Sequence, residues 1–546
     1  MLIVMCWPLV LGPSLTVVPF AAGLLAAALV GMVFRPTLPL ASLGWLALVV
    51  VVAWLSGGSD MGYLAGLLAA AAACGVLLGM GHGAFNRPQI TQAFVGALVL
   101  AMAWHVAVAW LQWFDLERAF HPLANMNHTS RPYGNLRQPN HLASFALMGL
   151  VGVWWRHQRG LDARSVTVLL ALLACSGIAL SGSRTGLLAT VAVSAGLVLL
   201  LRRPGRFVWC VFFVAPLWVI LIAWGVTQLP LAAGVDSEAL MARGSSSLSV
   251  RFAYWAEAWE LALRHPLLGV GWGELGRARF ELLPPQQGLQ NTINAHNLVL
   301  HLLAELGFLG ATAVLAPVAR LLWRRHPWRR VQVPGNQSAR DTSDLTWAWL
   351  VLVVAALHSL SEYPLWYMPF LIPTAYAFGL LLASAPDPRG GRLSGRAMAS
   401  GAAALLACTV LALVDYAHVS TAFGPSGRSL DEPARAWAVQ DTVLFQRYAD
   451  RALLERVPAT ASNLPQVLAA TSRLLSGGPN TLLLWVRLSA LCEAGRKAEA
   501  GALDARFKAL YPVGHARFVS MKNPVERVQC GLQNGAQQPL KISTHQ

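Results

Sequence analysis

The chain has 546 residues, 56% of them hydrophobic and only 12% charged. A soluble domain carries about a quarter charged residues, so the composition excludes an ordinary soluble protein and points to the membrane. The formal charge of +16 does not signal nucleic-acid binding, because no Lys precedes Lys497 and the arginines sit in short clusters between apolar stretches. That is the distribution of topology signals, not of a basic binding face.

The apolar stretches approach the ~20 residues a helix needs to cross the hydrocarbon core. Alternating polar-in, apolar-out strands are absent, so the spans are helices and not a barrel. The first 34 residues are apolar from Leu2 without a basic n-region or clear cleavage site, and read as retained membrane helix. Gly12, Pro13 and Ser14 interrupt them, leaving one long span or two short ones packed as a hairpin. Further spans are predicted at approximately 38–55, 62–81, 93–114, 140–156, 165–181, 185–201, 207–227, 295–322, 344–360, 364–384 and 398–416. The expected fold is all-α, a polytopic membrane protein of about 12–13 transmembrane helices.

Four loops carry the arginines: Arg156, Arg159 and Arg164; Arg202, Arg203 and Arg206; Arg324, Arg325, Arg329, Arg330 and Arg340; and Arg389, Arg392 and Arg396. Counting spans puts all four on one side, which the positive-inside rule makes cytoplasmic. The other side receives the loops at 115–139 and 182–184, a large loop at 228–294, the turn at 358–364 and everything after Tyr416. This favours a cytoplasmic N-terminus and two short spans before residue 35.

A membrane domain is thus expected over 1–420, followed at 424–512 by a segment soluble in composition and helical in pattern. Leu484–Pro512, with a break at Gly495 and a closing proline, looks like one tetratricopeptide-type helix pair. Helices around 433–456 and 464–476 would stack on it, and a plain helical bundle is the equal alternative. Residues 513–546 turn polar and Gln-rich and are expected to end loose. Cys6, Cys74, Cys175, Cys210 and Cys408 lie in apolar stretches as small hydrophobes. Cys492 and Cys530 can pair if the tail is extracytoplasmic. No CxxC or HExxH spacing suggests a metal, and no cofactor is implied.

The unusual polar groups gather on the non-cytoplasmic side, at span ends and in the large loop. A transporter or flippase would more often place them at mid-membrane, in broken helices. RPYGNLRQPNHLASF (Arg131–Phe145) offers Asn135, Gln138, Asn140 and His141, where a plain helix cap with Asn140 as N-cap needs only one such residue, so the segment points to a functional role. SGSRTG (Ser181–Gly186) places Arg184 at the membrane boundary, either snorkelling to the interface or holding a phosphate with its planar fork of donors.

LSVRFAYWAEAWELALRHP (Leu248–Pro266) is an amphipathic helix. Its face of Phe252, Trp255, Ala256, Trp259, Ala262 and Leu263 suits the membrane surface or other spans. Arg251 stands in its first turn, an unfavourable place for a cation without an anion nearby. The glycine-rich GVGWGEL that follows has no preceding strand and no GKT/S, so it is not a nucleotide loop.

NAHNLVLHLLAELGFLG (Asn294–Gly310) opens the next span with His296 at its mouth, an imidazole able to take a proton from a hydroxyl. Asn297 follows it, and His301 and Glu305 are i, i+4 partners deeper in. HSLSEYPLWYMPF (His358–Phe370) sets His358, Glu362 and Tyr363 in one turn. An aromatic belt explains Trp366 and Tyr367 but not the His and Glu.

Together these segments resemble the O-antigen ligase (Wzy/WaaL) superfamily of polytopic, GT-C-like glycan transferases. The likeness rests on the loop with Arg251 that ends in His296-Asn297 and a helix with Glu305, Gly307 and Gly310. GNLRQPNHLA (Gly134–Ala143) and HSLSEYPLWY (His358–Tyr367) look more specifically like the bacterial PglL-type protein O-oligosaccharyltransferases. The resemblance covers approximately residues 1–420. It implies metal-independent transfer of an oligosaccharide from undecaprenyl diphosphate to Ser/Thr of periplasmic or pilin-like proteins, at the periplasmic face of the bacterial inner membrane. It also implies His296 as base, Arg184 and Arg251 as the diphosphate clamp, and a binding role for Gln138, Asn140, His141, Asn297, Glu305, His358, Glu362 and Tyr363. An O-antigen ligase acting on lipid A-core, or a polymerase of the same superfamily, is the close alternative.

Overall fold

The computed structural model describes residues 5–6, 12–58, 60–85, 87–129, 131–201, 205–228, 244–285, 292–326, 339–383, 390–424 and 427–521. The apolar runs form α1 (Val17–Phe34), α2 (Leu40–Leu55), α3 (Met61–Ala84), α4 (Pro88–Trp113), α5 (Pro139–Gln158), α6 (Arg164–Leu180) and α7 (Arg184–Leu200). The next run is a bent pair, α8 (Arg206–Phe213) and α9 (Ala215–Thr227), meeting at 48°. Pro216 at the start of the second helix and a π-turn over Trp209–Phe213 account for the bend. The large loop contributes α10 (Gly244–Arg264) and α11 (Leu275–Leu282). The bundle closes with α12 (Leu298–Arg324), α13 (Ala339–Ser359), α14 (Met368–Ala383) and α15 (Gly395–Ser420).

Each predicted run from 38 onward corresponds to one helix or to the bent pair, so the protein is all-α and multi-pass. Among the described residues six helices are long and apolar enough to cross a membrane on their own, seven with the bent pair, and the other four runs, α2, α6, α7 and α14, are shorter apolar helices of 10–17 residues. The second short span expected before α1 lies largely outside the described residues. The only β structure among those residues, besides one isolated bridge, is a two-residue antiparallel ladder, Leu38 opposite Leu393 and Pro39 opposite Arg392.

Helix α5 is the axis of the core, with every residue from His141 to Trp155 buried. A helix apolar all round is stable only when enclosed, and α4, α6, α7 and α13 surround it. Small residues set the spacing: a Cβ on Gly149 would lie 2.4 Å from the Met102 side chain. The Asn140–Glu362 contact described below therefore begins on one of the best-enclosed helices of the molecule.

Helix α12 is broken at Gly307, whose φ of 68° and ψ of −178° are non-helical. The break frees carbonyls that must find other donors. Val270 and Gly271 supply them, donating to the carbonyls of Ala304 and Glu305 at 2.9 and 3.0 Å, while the Phe308 N–H donates to the Pro266 carbonyl. This explains the glycines of the GVGWGEL segment. A Cβ on Gly269 would meet the Glu305 backbone at 2.3 Å, and one on Gly307 the Leu267 carbonyl at 2.4 Å.

After α15 come α16 (Pro433–Ala438), α17 (Gln446–Arg456), α18 (Leu464–Leu474), α19 (Thr481–Glu493), α20 (Lys497–Leu510) and α21 (Pro512–Met521). From α16 to α19 a short turn or 3-10 segment links each helix to the next, and successive helices from α16 to α21 pack on one another. They share a core of their own that includes Leu453, Leu484, Phe507 and, from the large loop, Phe280. The ordered part extends past residue 512, since Phe518 on α21 is fully buried in that core. Residues 522–546 lie outside the described set, as does Cys530, whereas Cys492 is disulfide-bonded. The tail docks on the bundle through the Arg447–Asp60 ion pair and through Asp415, which accepts the Leu444 N–H at 2.8 Å. Arg277 of α11 reaches the Ser472 carbonyl and Ser476 hydroxyl at 2.9 and 2.8 Å.

Candidate active site

His296 directly precedes the N-cap of α12. The Asn297 side chain accepts the Val299 and Leu300 N–H groups, as a short polar cap does. Its own amide donates to the Leu360 carbonyl at 3.2 Å, tying the helix mouth to the turn after α13. His296 itself has a φ of 50°, a left-handed conformation that is strained for a residue with a Cβ. That conformation delivers the imidazole to Glu362, with Nδ1 2.8 Å from Oε2. The ring also stacks on Tyr254, centroids 5.7 Å apart, and meets the edge of Tyr363 at 5.3 Å.

Glu362 is 4% exposed and joins the separate sequence segments. Arg251 of α10 donates to its Oε1 at 2.6 Å, and Asn140 of α5 donates to the same oxygen at 3.2 Å. Helix α10 begins at Gly244, so Arg251 lies past the first turn in which the sequence places it, and the anion beside it is this carboxylate. Asn140 in turn accepts from the Ser183 hydroxyl at 2.8 Å, which brings in the SGSRTG turn. Arg184, one residue on, is exposed at the first turn of α7.

Burial alone pushes the Glu362 carboxyl up. The His296 hydrogen bond and charge and the Arg251 guanidinium outweigh it and hold the group at about 2. An ionised carboxylate only accepts, so Nδ1 of His296 donates to it, and Nε2 is the ring nitrogen left for a substrate. Burial and the Glu362 charge push the Tyr363 phenol up, keeping it a neutral donor.

The remaining predicted residues divide. Gln138, not Asn140, caps α5: its side-chain Oε1 accepts the His141 N–H at 3.1 Å, which leaves Asn140 for Glu362. His141 and His358 are 3% and 1% exposed, with ring centroids 5.3 Å apart and Phe370 against both. Glu305 is not in the cluster. Its carboxylate accepts the Gly273 and Leu275 N–H groups at 3.0 and 3.3 Å and lies 3.4 Å from His301, bracing the loop against the break in α12.

Sequence reasoning missed Tyr254 and Ser183. Tyr254 follows Arg251 by three residues and so shares its helix face, a signal that was available. Ser183 gives only a cap signal, its hydroxyl also serving the Gly186 N–H at 3.0 Å. Of the apolar face expected on α10, Phe252, Trp259 and Leu263 remain exposed while Ala262 is buried.

Comparisons with known proteins fall on the same segments. The family model described as O-antigen ligase matches residues 169–315, which contain Arg184, Arg251 and His296. That of protein glycosylation ligase matches 132–157, with Gln138, Asn140 and His141. That of the C-terminal part of a virulence factor membrane-bound polymerase matches 346–525, with Glu362 and the tail. A general O-oligosaccharyltransferase of Acinetobacter baylyi is 26% identical over 300 residues, 51% of this chain and 48% of the relative. A ComP-specific O-oligosaccharyltransferase of the same organism is 22% identical over 260 residues, 47% of this chain and 45% of the relative. The matched stretch thus spans about half the length of each relative. In the segments that build the Glu362 cluster, this chain is similar to the O-antigen ligase superfamily, and within it is most like the PglL-type protein O-oligosaccharyltransferases.

Proposed function

We propose that this membrane protein is a glycosyltransferase that moves an oligosaccharide from undecaprenyl diphosphate to Ser/Thr hydroxyls of periplasmic, pilin-like proteins. The observation that carries the reading is the single carboxylate of Glu362 shared by His296 and Arg251, a base and a cation held side by side at a membrane boundary.

In this scheme Nε2 of His296 takes the proton of the acceptor hydroxyl as its oxygen attacks the anomeric carbon. The bond from that carbon to the phosphate oxygen breaks, and its electron pair leaves with the lipid diphosphate. Attack from the opposite side inverts the configuration. Glu362 stabilises the imidazolium that forms, as a buried carboxylate does for a histidine base. Arg251 offers its remaining donors to the departing diphosphate, with Arg184 as the second arm of the clamp. Gln138, Asn297, His141, His358 and Tyr363 fix the cluster and its walls. Asn140 sets the rotamer of Glu362, and Glu305 acts on binding only through the loop it braces.

The reading places the protein in the bacterial inner membrane with site and tail facing the periplasm. Three features support it: the arginine clusters belong to the opposite loops, the tail docks at the end of the bundle that carries the site, and Cys492 is disulfide-bonded, as an oxidising compartment permits. The test is to express the chain with a lipid-linked glycan and assay sugar on a pilin and on lipid A-core. Sugar on the pilin alone, lost in His296→Ala, supports the reading. Sugar on lipid A-core alone supports the ligase alternative, and sugar on neither sinks both. A reporter fused after Gly424 should read as periplasmic.

A further inference from the structure

A cavity of ≈ 960 Å³ lies between the bundle and the tail, and none of His296, Arg251 and Glu362 lines it. Its lower walls are apolar, from Leu46 on α2, Leu67 on α3, Val314 on α12 and Phe378 on α14. Its upper rim is charged, with Asp60 and Tyr63 from the bundle and Arg447, Arg451 and Glu455 from the tail. Along α3 the lining runs from Tyr63 to Cys74, ~16 Å at the helical rise. That is about half of the ~30 Å hydrocarbon core, the depth of one leaflet.

Four polar atoms of lining residues have no hydrogen-bond partner: Trp272 Nε1, Ser359 Oγ, Thr374 Oγ1 and Arg447 Nη2. Ser359 and Thr374 are only 5% and 6% exposed. Buried polar groups without partners are costly and rare, and these four, from the large loop, α13, α14 and the tail, all belong to residues that line this one cavity, which points to a ligand that satisfies them. All four can donate. The ligand must therefore bring acceptors near the rim and hydrocarbon below it. The rim charges constrain it further, since Arg447 is paired with Asp60 and Arg451 with Glu455. Two cations balanced by two carboxylates suit a headgroup of no net charge better than a diphosphate.

We propose that this cavity holds a glycerophospholipid with a zwitterionic headgroup, which seats the tail on the membrane domain. Its phosphate meets Arg447, its ammonium meets Glu455 or Asp60, and its ester carbonyls accept from Trp272 and Ser359. One acyl chain lies along α3 beneath them. The lipid is a structural partner of both units and does not depend on the transfer reaction.

The full chain, purified through exhaustive detergent exchange, should retain about one phospholipid by native mass spectrometry and lipid extraction. Gly66 lines the cavity, and a Cβ there meets nothing within 4 Å. Gly66→Phe should thus fill the chain site and lower retention about fivefold, while Gly66→Ala leaves it unchanged. Adding phosphatidylethanolamine to delipidated wild type should raise Tm by a few degrees, more than phosphatidylglycerol does. Unchanged retention in Gly66→Phe, no Tm response, or a retained polyprenyl phosphate in place of phospholipid would each overturn the proposal. The Tm arm uses wild type alone, so it decides the matter even if Gly66→Phe fails to fold.

Discussion

Two buried carboxylates, Glu362 and Glu305, look alike in the sequence: each lies four residues after a histidine in a span-end segment. The structure gives them different work. Glu362 is bonded by side chains, His296, Arg251 and Asn140, drawn from three distant segments. Glu305 is bonded by backbone, the Gly273 and Leu275 N–H groups, and holds a loop against a broken helix. The difference teaches that a buried acid is placed by its partners. Side-chain partners can reorganise around a substrate, whereas backbone partners fix architecture.

The histidines show the contrast most strongly. His296→Ala should abolish glycan transfer, a loss of at least about 10²-fold, with membrane insertion retained. His301→Ala, beside Glu305, should keep transfer and lower yield or Tm. Similar transfer by the two variants would erase the distinction between the sites.

Next come the acids. Glu362→Gln keeps the shape but removes the charge that orients and stabilises His296, so kcat should fall about 10²-fold or more. Depression of a carboxyl from 4.5 to about 2 corresponds to about 3 kcal/mol favouring the ionised native form. Because the folded value is lowered, that stability is fully present above pH ~4.5 and is lost as pH falls toward 2. Wild type should thus lose Tm more steeply than Glu362→Gln between about pH 5 and 3. Parallel curves would mean that Glu362 is not held by its cations. In Glu305→Gln the expected result is the reverse: a cost of about 1–3 kcal/mol in stability, with kcat of the folded fraction close to wild type.

The arginines sharpen the site's outline. Arg251→Lys loses the fork shared between Glu362 and a phosphate, and should cost more than the conserved charge allows, about tenfold in kcat/KM. Arg184→Lys should cost less, since Arg184 is exposed at the first turn of α7 whereas Arg251 bonds Glu362 directly. Equal effects would make the two arms of the clamp equivalent.

Much of the fold was legible because apolar length reports a span regardless of what the span packs on. The eleven runs from 38 onward all appear as helices. What the runs did not reveal was which are long enough to cross alone, that 206–227 is bent, and that α12 is broken. Those outcomes rest on Pro216 and Gly307 and on the partners that satisfy the interrupted backbone. The folded end of the tail was also hidden, since Phe518 reads as one apolar residue in a polar stretch until α19 and α20 stack beside it.

The site was legible as a set of residues but not as a set of bonds. Hydropathy and charge bias are local properties, and they sufficed to put His296, Asn140 and Glu362 at span ends and Arg251 in the large loop. That Glu362 is the point where these four meet, and that Glu305 bonds the loop backbone instead, came from the packing of the helices. A hydrogen bond depends on distances of about 3 Å between atoms up to 222 positions apart in the chain. No local pattern encodes that separation, because it is set by how the helices pack.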